Sequence, residues 1–201
     1  MDIMGVVILG AIALYLIVSL AVVVLAARAA KKRGKSPWRW GGAATLVMYL
    51  LVFWDHIPTV VAHKYYCEKE AGFWIYKTVD QWKKENPGMM ETLVANKGDP
   101  HKFEGDMANY TTTNFLNSRF NLVVKHRGSL FLHRWLREDE LIDTKNNEVL
   151  ARYVDFSTSQ ERRQAGWSGW KFWLDSRHCS GGIDNAINSG NWINQFKGME
   201  K

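Results

Sequence analysis

The chain has 201 residues, 47% of them hydrophobic and 23% charged, with 10 Trp, 2 Cys and a formal net charge of +6. Its mean hydropathy of −0.25 looks soluble, yet apolar residues are concentrated before residue 63, where 42 of 62 are hydrophobic against 52 of the 139 that follow. That division excludes a freely soluble globule, a long disordered chain and a many-span transporter, and two cysteines exclude a disulfide-dense miniprotein.

Residues 3–27 are uncharged without interruption. As a helix they rise ~38 Å, enough to cross a hydrocarbon core of ~30 Å with some tilt. A secretory signal is the rival reading. It requires a basic start and a short apolar stretch, whereas only Asp2 precedes a long one. The first transmembrane helix is therefore assigned to residues 1–27, a basic loop to 28–39, a second span to 40–62 and an extramembrane domain to 63–201. The loop carries Arg28, Lys31, Lys32, Arg33, Lys35 and Arg39 and no acid. These six charges equal the whole net charge, and the other 20 basic residues match the 20 acidic ones. The sequence pI of about 9.3 thus points to a cytoplasmic loop under the positive-inside rule and to anionic headgroups beside it. The lipid bilayer is the implied partner, and nucleic acid is not.

In the second span residues 41–54 are uncharged, then Asp55, His56 and Pro58 interrupt. A proline there removes a backbone donor and kinks or restarts the helix. Trp38 and Trp40 mark the cytoplasmic interface, and Trp54, Tyr65 and Tyr66 the opposite one. The N-terminus and residues 63–201 then share the outer side. Ala26, Ala27, Ala29 and Ala30 facing Gly41, Gly42, Ala43 and Ala44 offer a small-residue packing seam, although compositional bias produces the same pattern.

Beyond the membrane the helix continues to about residue 73. Thr78 with Gln81 forms a capping box for a helix over 79–85, which Asn86, Pro87 and Gly88 stop. Residues 95–119 read as loop with at most one short helix. Strands follow at 120–126, 130–136 and 149–156, joined by turns at 127–129 and 143–147. The fold class is α+β: a two-helix transmembrane hairpin, then a domain with a small antiparallel β-meander flanked by helices. Trp167, Trp170 and Trp173 recur every third residue beside Phe172. As a helix they form an aromatic stripe that suits core packing, a membrane interface or a docked partner, although Gly166 and Gly169 oppose a helix there. Residues 179–198 are rich in Gly, Asn and Ser and need the rest of the domain to order them.

Cys67 and Cys179 both lie in the outer domain. In an oxidising compartment two such cysteines pair, and closing a loop of about 110 residues is worth ~4–5 kcal/mol in the chain-entropy model. Free thiols are the alternative. His63 and Cys67 share a helix face and are metal-ligand types, but no second clustered pair accompanies them, so neither metal nor cofactor is expected. Asp55 and His56 suggest a proton relay, or only the exit from lipid. His178, Cys179 and Ser180, next to Gly181 and Gly182, bring imidazole, thiol and hydroxyl together in sequence. Nucleophilic catalysis also needs a base arranged in space, for which His101, His126 and His133 are scattered candidates. Hydrolase, zinc-protease and P-loop signatures are missing from the sequence.

The run Tyr65-Tyr66-Cys67-Glu68-Lys69-Glu70-Ala71-Gly72-Phe73-Trp74 is followed by Tyr76-Lys77-Thr78, Gln81-Trp82-Lys83 and Glu85-Asn86-Pro87-Gly88. It resembles a stretch of uncharacterised inner-membrane proteins of Gram-negative bacteria and covers about a tenth of the chain. The resemblance implies that the outer side is the periplasm, which favours the disulfide, and it assigns no activity. The sequence thus reads as an inner-membrane accessory or scaffold subunit. Its periplasmic domain would bind another protein of an envelope complex, non-catalytically, through Trp167, Trp170, Phe172 and Trp173. The alternatives are a tethered periplasmic hydrolase using His178, Cys179 or Ser180, and a small homo-oligomeric channel or transporter with Asp55 or His56 on a common axis.

Overall fold

The computed structural model describes residues 3–106, 108–129, 133–160, 171–176, 178–179 and 182–199. The chain divides into two compact units, Met1–Pro58 and Thr59–Lys201.

In the first unit, helix α1 (Ile3–Lys32) outlasts the uncharged run, because Lys31 and Lys32 in its last turn suit the negative end of the helix dipole. Gly34, at φ +66°, supplies the left-handed residue that ends it. Helix α2 (Pro37–Phe53) starts with proline at its first position, where the missing N–H is harmless. The two helices run antiparallel. Gly41 and Ala30 are buried, and a Cβ on Gly41 would lie 3.7 Å from the Ala27 Cβ, so part of the small-residue stripe is a contact. The Tyr15 hydroxyl donates to the Met48 carbonyl.

The stretch 40–62 is not one straight helix. α2 ends at Phe53 and helix α3 (His56–Lys69) follows with a bend of 65°. Pro58 cannot donate the helical hydrogen bond that the Trp54 carbonyl would accept, which explains the break. Among the described residues, Gly5–Lys32 alone is long and apolar enough to cross a membrane as a single helix, and α2 with α3 passes only as a bent pair.

The second unit is built on one antiparallel sheet of strands β1 (Gly72–Ile75), β2 (His101–Gly105), β3 (Asn109–Phe115), β4 (Phe120–Ser129), β5 (Arg134–Asp143) and β6 (Glu148–Thr158), in the order β1-β6-β5-β4-β3-β2. The described helices of this unit, besides α3, are α4 (Val79–Glu85) and α5 (Gly182–Asn194), with 3-10 turns at Met90–Thr92 and Phe172–Leu174. The capping box forms as expected: Gln81 N–H donates to Thr78 Oγ1 at 3.2 Å, and Thr78 N–H to Gln81 Oε1 at 2.8 Å.

Several expectations are corrected. The helix expected to continue to about residue 73 ends at Lys69, and residues 72–75 form the short strand β1. The stretch 95–119 contains β2 and β3, which sequence pattern misses because β2 is a wholly exposed edge strand and β3 is Thr-rich. Residues 127–129 are strand, not turn, since Ser129 pairs with Arg134. Gly128 faces Trp135 across the ladder, and a Cβ there would collide with the Trp135 ring. The glycine makes room for an indole rather than a turn. Of the second predicted strand, residues 130–132 lie outside the described residues, and the strand that contains its remainder is β5, Arg134–Asp143. Residues 182–194 are helical despite their Gly and Asn, because Trp192 and the following Phe196 enter the core.

That core is aromatic. Trp82, Phe120, Trp192 and Phe196 meet with ring centroids 4.9–6.0 Å apart, joined by Leu93, Leu141 and Leu150. Each such side chain is worth ~1.5–3 kcal/mol of burial. At its margin lies a sealed polar knot. Asp143 accepts hydrogen bonds from Trp82 Nε1 (2.8 Å), Arg119 Nη2 (2.8 Å) and the Lys145 amide (3.1 Å). Asn117 ties the β3–β4 turn to the Phe196 carbonyl at 2.7 Å. On the other sheet face Tyr66, Cys67 and Ala71 pack against Val154, Phe156 and Leu136.

Candidate functional site

A cluster of charged side chains beside two cavities spans β4, β5 and β6. Strand pairing sets His126, Arg137 and Asp155 side by side on one rung. Two residues along, on the same face, stand Val124, Asp139 and Tyr153. Arg137 holds Asp139 bidentately, Nε to Oδ1 at 2.9 Å and Nη2 to Oδ2 at 2.7 Å. Asp155 accepts from His178 Nδ1 at 2.6 Å and from the Cys179 amide at 3.2 Å. Gly182, the first residue of α5, lets the helix start lie against this carboxylate, since a Cβ there would meet Asp155 Oδ1 at 3.1 Å.

The electrostatics follow from burial. Burial holds the His126 imidazole below its ordinary pKa, with the Arg137 charge adding to the effect, and its ring stacks on Tyr110 at 4.5 Å. Tyr153 is pushed well above the usual phenol range by burial and then by the Asp155 charge, and its hydroxyl donates to the Gly182 carbonyl at 3.2 Å. Arg137 lines two cavities. One, of about 290 Å³, is also lined by His126, Trp135, Asp155 and His178. The other, of about 380 Å³, lies between the sheet and α5 and includes Asp139, Tyr153, Ser189 and Ile193. The His178 side chain is 53% exposed while its carboxylate partner is 5% exposed.

A second cluster lies where β6 outruns β1. Pairing between these strands covers Val154 but not the end of β6. There Thr158 and Ser176 exchange backbone hydrogen bonds of 2.7 and 2.9 Å. This strap carries Cys179 to α3, where Cys67 and Cys179 form a disulfide. A thiol mechanism at Cys179 is thereby closed. His63 lies beside the bridge, Nε2 3.4 Å from Cys67 Sγ and 3.3 Å from the Phe156 carbonyl oxygen.

The other residues singled out by sequence fall apart in space. Trp167, Trp170 and Ser180 lie outside the described residues. Phe172 is 62% exposed, its ring edge-on to Trp173 at 5.4 Å, and the two begin a 3-10 turn. Trp38, Trp40, Trp54 and Tyr65 are exposed, whereas Tyr66 stacks on Phe156 at 5.2 Å under the Arg134 guanidinium. Asp55 is buried, and His56 Nδ1 is 2.9 Å from the Tyr49 hydroxyl. His101 sits on the edge strand β2, near the Asp99 carbonyl. Sequence reasoning passed over Arg137, Asp139, Tyr153 and Asp155. Their signal was present in the alternation of β6, which puts Tyr153 and Asp155 on the same face as the core residue Ala151. Comparison with protein families, with known proteins and with solved structures finds no match for this chain.

Proposed function

We propose that this chain is an accessory or scaffold subunit of a bacterial inner membrane. In this reading α1 and the bent pair α2–α3 anchor it, the basic loop faces the cytoplasm, and the sheet domain binds another envelope protein in the periplasm without catalysis. The supporting observation is that, among the described residues, three pairs of chemistry-bearing groups in the sheet domain are engaged with each other. Arg137 holds Asp139, Asp155 holds His178, and the cysteines hold each other. The aromatic segment around Phe172 and Trp173 is the proposed contact, since an aromatic side chain open to solvent is the usual anchor of an interface. Phe172→Ala tests this cleanly, because so exposed a ring contributes little to the fold. The proposal expects the variant to stay membrane-bound and lose its partner. Full retention of the partner by this variant and by Trp173→Ala would reject the surface.

A second reading rests on the Asp155–His178 pair. A carboxylate on Nδ1 orients the imidazole and leaves Nε2 as a base beside a cavity of about 290 Å³. It suits a tethered periplasmic hydrolase. Ester or amide hydrolysis that disappears in both His178→Ala and Asp155→Asn would favour it over the scaffold.

A further inference from the structure

Four polar side chains from two distant segments converge at the disulfide. His63 and Cys67 come from one face of α3. Ser176 and Cys179 come from the strap beside β6. The ligand atoms of His63, Cys67 and Cys179 all lie within 4.8 Å of one another, and Ser176 Oγ is 3.4 Å from either ring nitrogen of His63. Contacts that do not involve sulfur hold both segments. The strap is fastened by the Thr158–Ser176 backbone pair and by Asp155 on the Cys179 amide. The α3 side is fastened by Tyr66 against Phe156. Breaking the S–S bond therefore leaves the donors facing each other.

We propose that reduction of the Cys67–Cys179 bridge turns this cluster into a zinc site, with His63, Cys67 and Cys179 as ligands and an open fourth position. The reduction balances with a dithiol. Its two sulfurs join in one disulfide, the Cys67–Cys179 bond breaks, and two electrons and two protons pass to give two thiols. Zinc then displaces both thiol protons to solvent. The spacing suits the ion. Bonds of ~2.3 Å to sulfur and ~2.0 Å to nitrogen at tetrahedral angles put neighbouring ligand atoms ~3.5–3.8 Å apart. His63 Nε2 and Cys67 Sγ already stand at 3.4 Å, and two sulfurs freed of their bond relax toward the same distance. Two thiolates and an imidazole select a borderline-soft cation over magnesium or calcium. With Nε2 on the metal, its contact with the Phe156 carbonyl is given up and the ring proton moves to Nδ1, which donates to Ser176 Oγ as the outer hydrogen bond that fixes ring orientation. Bridge and ion tie the same two segments together, so the domain keeps one architecture in two redox states. This inference does not rest on the scaffold reading.

The test uses the full chain in detergent, reduced with dithiothreitol and desalted anaerobically, then titrated with Co²⁺ and back-titrated with Zn²⁺. The proposal expects one equivalent of Co²⁺ with thiolate charge-transfer and tetrahedral d–d bands, displaced by Zn²⁺ and not formed by the oxidised protein. His63→Gln keeps the bridge and a hydrogen-bonding side chain, so its fold is secure. It is expected to weaken zinc binding at least about tenfold, since even outer-shell changes cost that much. No bands in the reduced protein, equal binding by the oxidised protein, or undiminished affinity in His63→Gln would each overturn the site. So would a reduced protein whose circular dichroism is lost and is not restored by zinc.

Discussion

Asp143 and Asp155 make a natural pair. Both sit on β-strands of one sheet, both are nearly inaccessible, and both are bound by a basic side chain. Asp143 is sealed. Its partner Arg119 is 11% exposed, and Trp82 and the Lys145 amide complete its shell. Asp155 is equally inaccessible, but its partner His178 opens to solvent. The first carboxylate closes the protein, whereas the second presents a charged group at a cavity. The accessibility of the partner, more than that of the acid, separates a structural ion pair from one available for recognition.

The largest expected effect is at the sealed knot. Asp143→Ala strands the Arg119 guanidinium and the Trp82 indole N–H and should cost ~3–5 kcal/mol in urea unfolding. A loss below ~1 kcal/mol would erase the distinction from Asp155. Cutting the disulfide with Cys67→Ser, in the absence of metal, should cost ~2–4 kcal/mol and lower the thermal midpoint. Equal midpoints for the oxidised protein and the variant would show that the bridge contributes nothing. Gly128→Ala drives a methyl group into Trp135 and should cost ~1–3 kcal/mol, visible as a change in Trp fluorescence and in the urea midpoint.

Acid separates the two regions further. Burial raises the Asp143 carboxyl, but hydrogen bonds from Arg119, Trp82 and Lys145 outweigh it and hold the group below its ordinary value. The unfolded chain then takes up the proton first. The contribution of Asp143 is complete above ~pH 4 and fades as pH falls through the folded value. His126, also held below its ordinary value, acts earlier: its stability is present above ~pH 6.5 and declines as pH falls below that. Urea midpoints measured from pH 7 to 3 should therefore show two falling limbs. His126→Gln should remove the upper limb and leave the lower one. A profile flat from pH 7 to 5 in the parent protein would contradict the placement of His126. The smallest effect belongs to the open pair. His178→Ala opens Asp155 to the cavity while the Cys179 amide still donates to it, so it should cost ~1 kcal/mol, and a loss of ~3 kcal/mol or more would move Asp155 into the same class as Asp143.

Sequence reading is uneven for physical reasons. The apolar helix, the Thr78–Gln81 cap and the turn after Asp143 are legible because each rests on neighbours within a few residues. The edge strands β1 and β2 carry almost no pattern, because one is four residues long and the other is exposed throughout. Gly128 misleads because a glycine that yields space to Trp135 looks identical in sequence to one that turns the chain. Helix α5 is built from weak helix formers, and Trp192 with Phe196 holds it by tertiary contacts. At the site, His178 was visible, but its partner Asp155 lies 23 residues away, and strand register brings them together. The union of His63, Cys67, Ser176 and Cys179 depends on the strap pairing with the end of β6, which no local pattern encodes.

The scaffold reading is tested most directly by extracting the protein from native membranes in mild detergent and determining the native mass and identity of every chain present. It predicts a stoichiometric unlike chain that is lost from the Phe172→Ala and Trp173→Ala variants while the protein itself remains in the membrane fraction. A lone protomer, or a ring of identical copies unaffected by those substitutions, would contradict it.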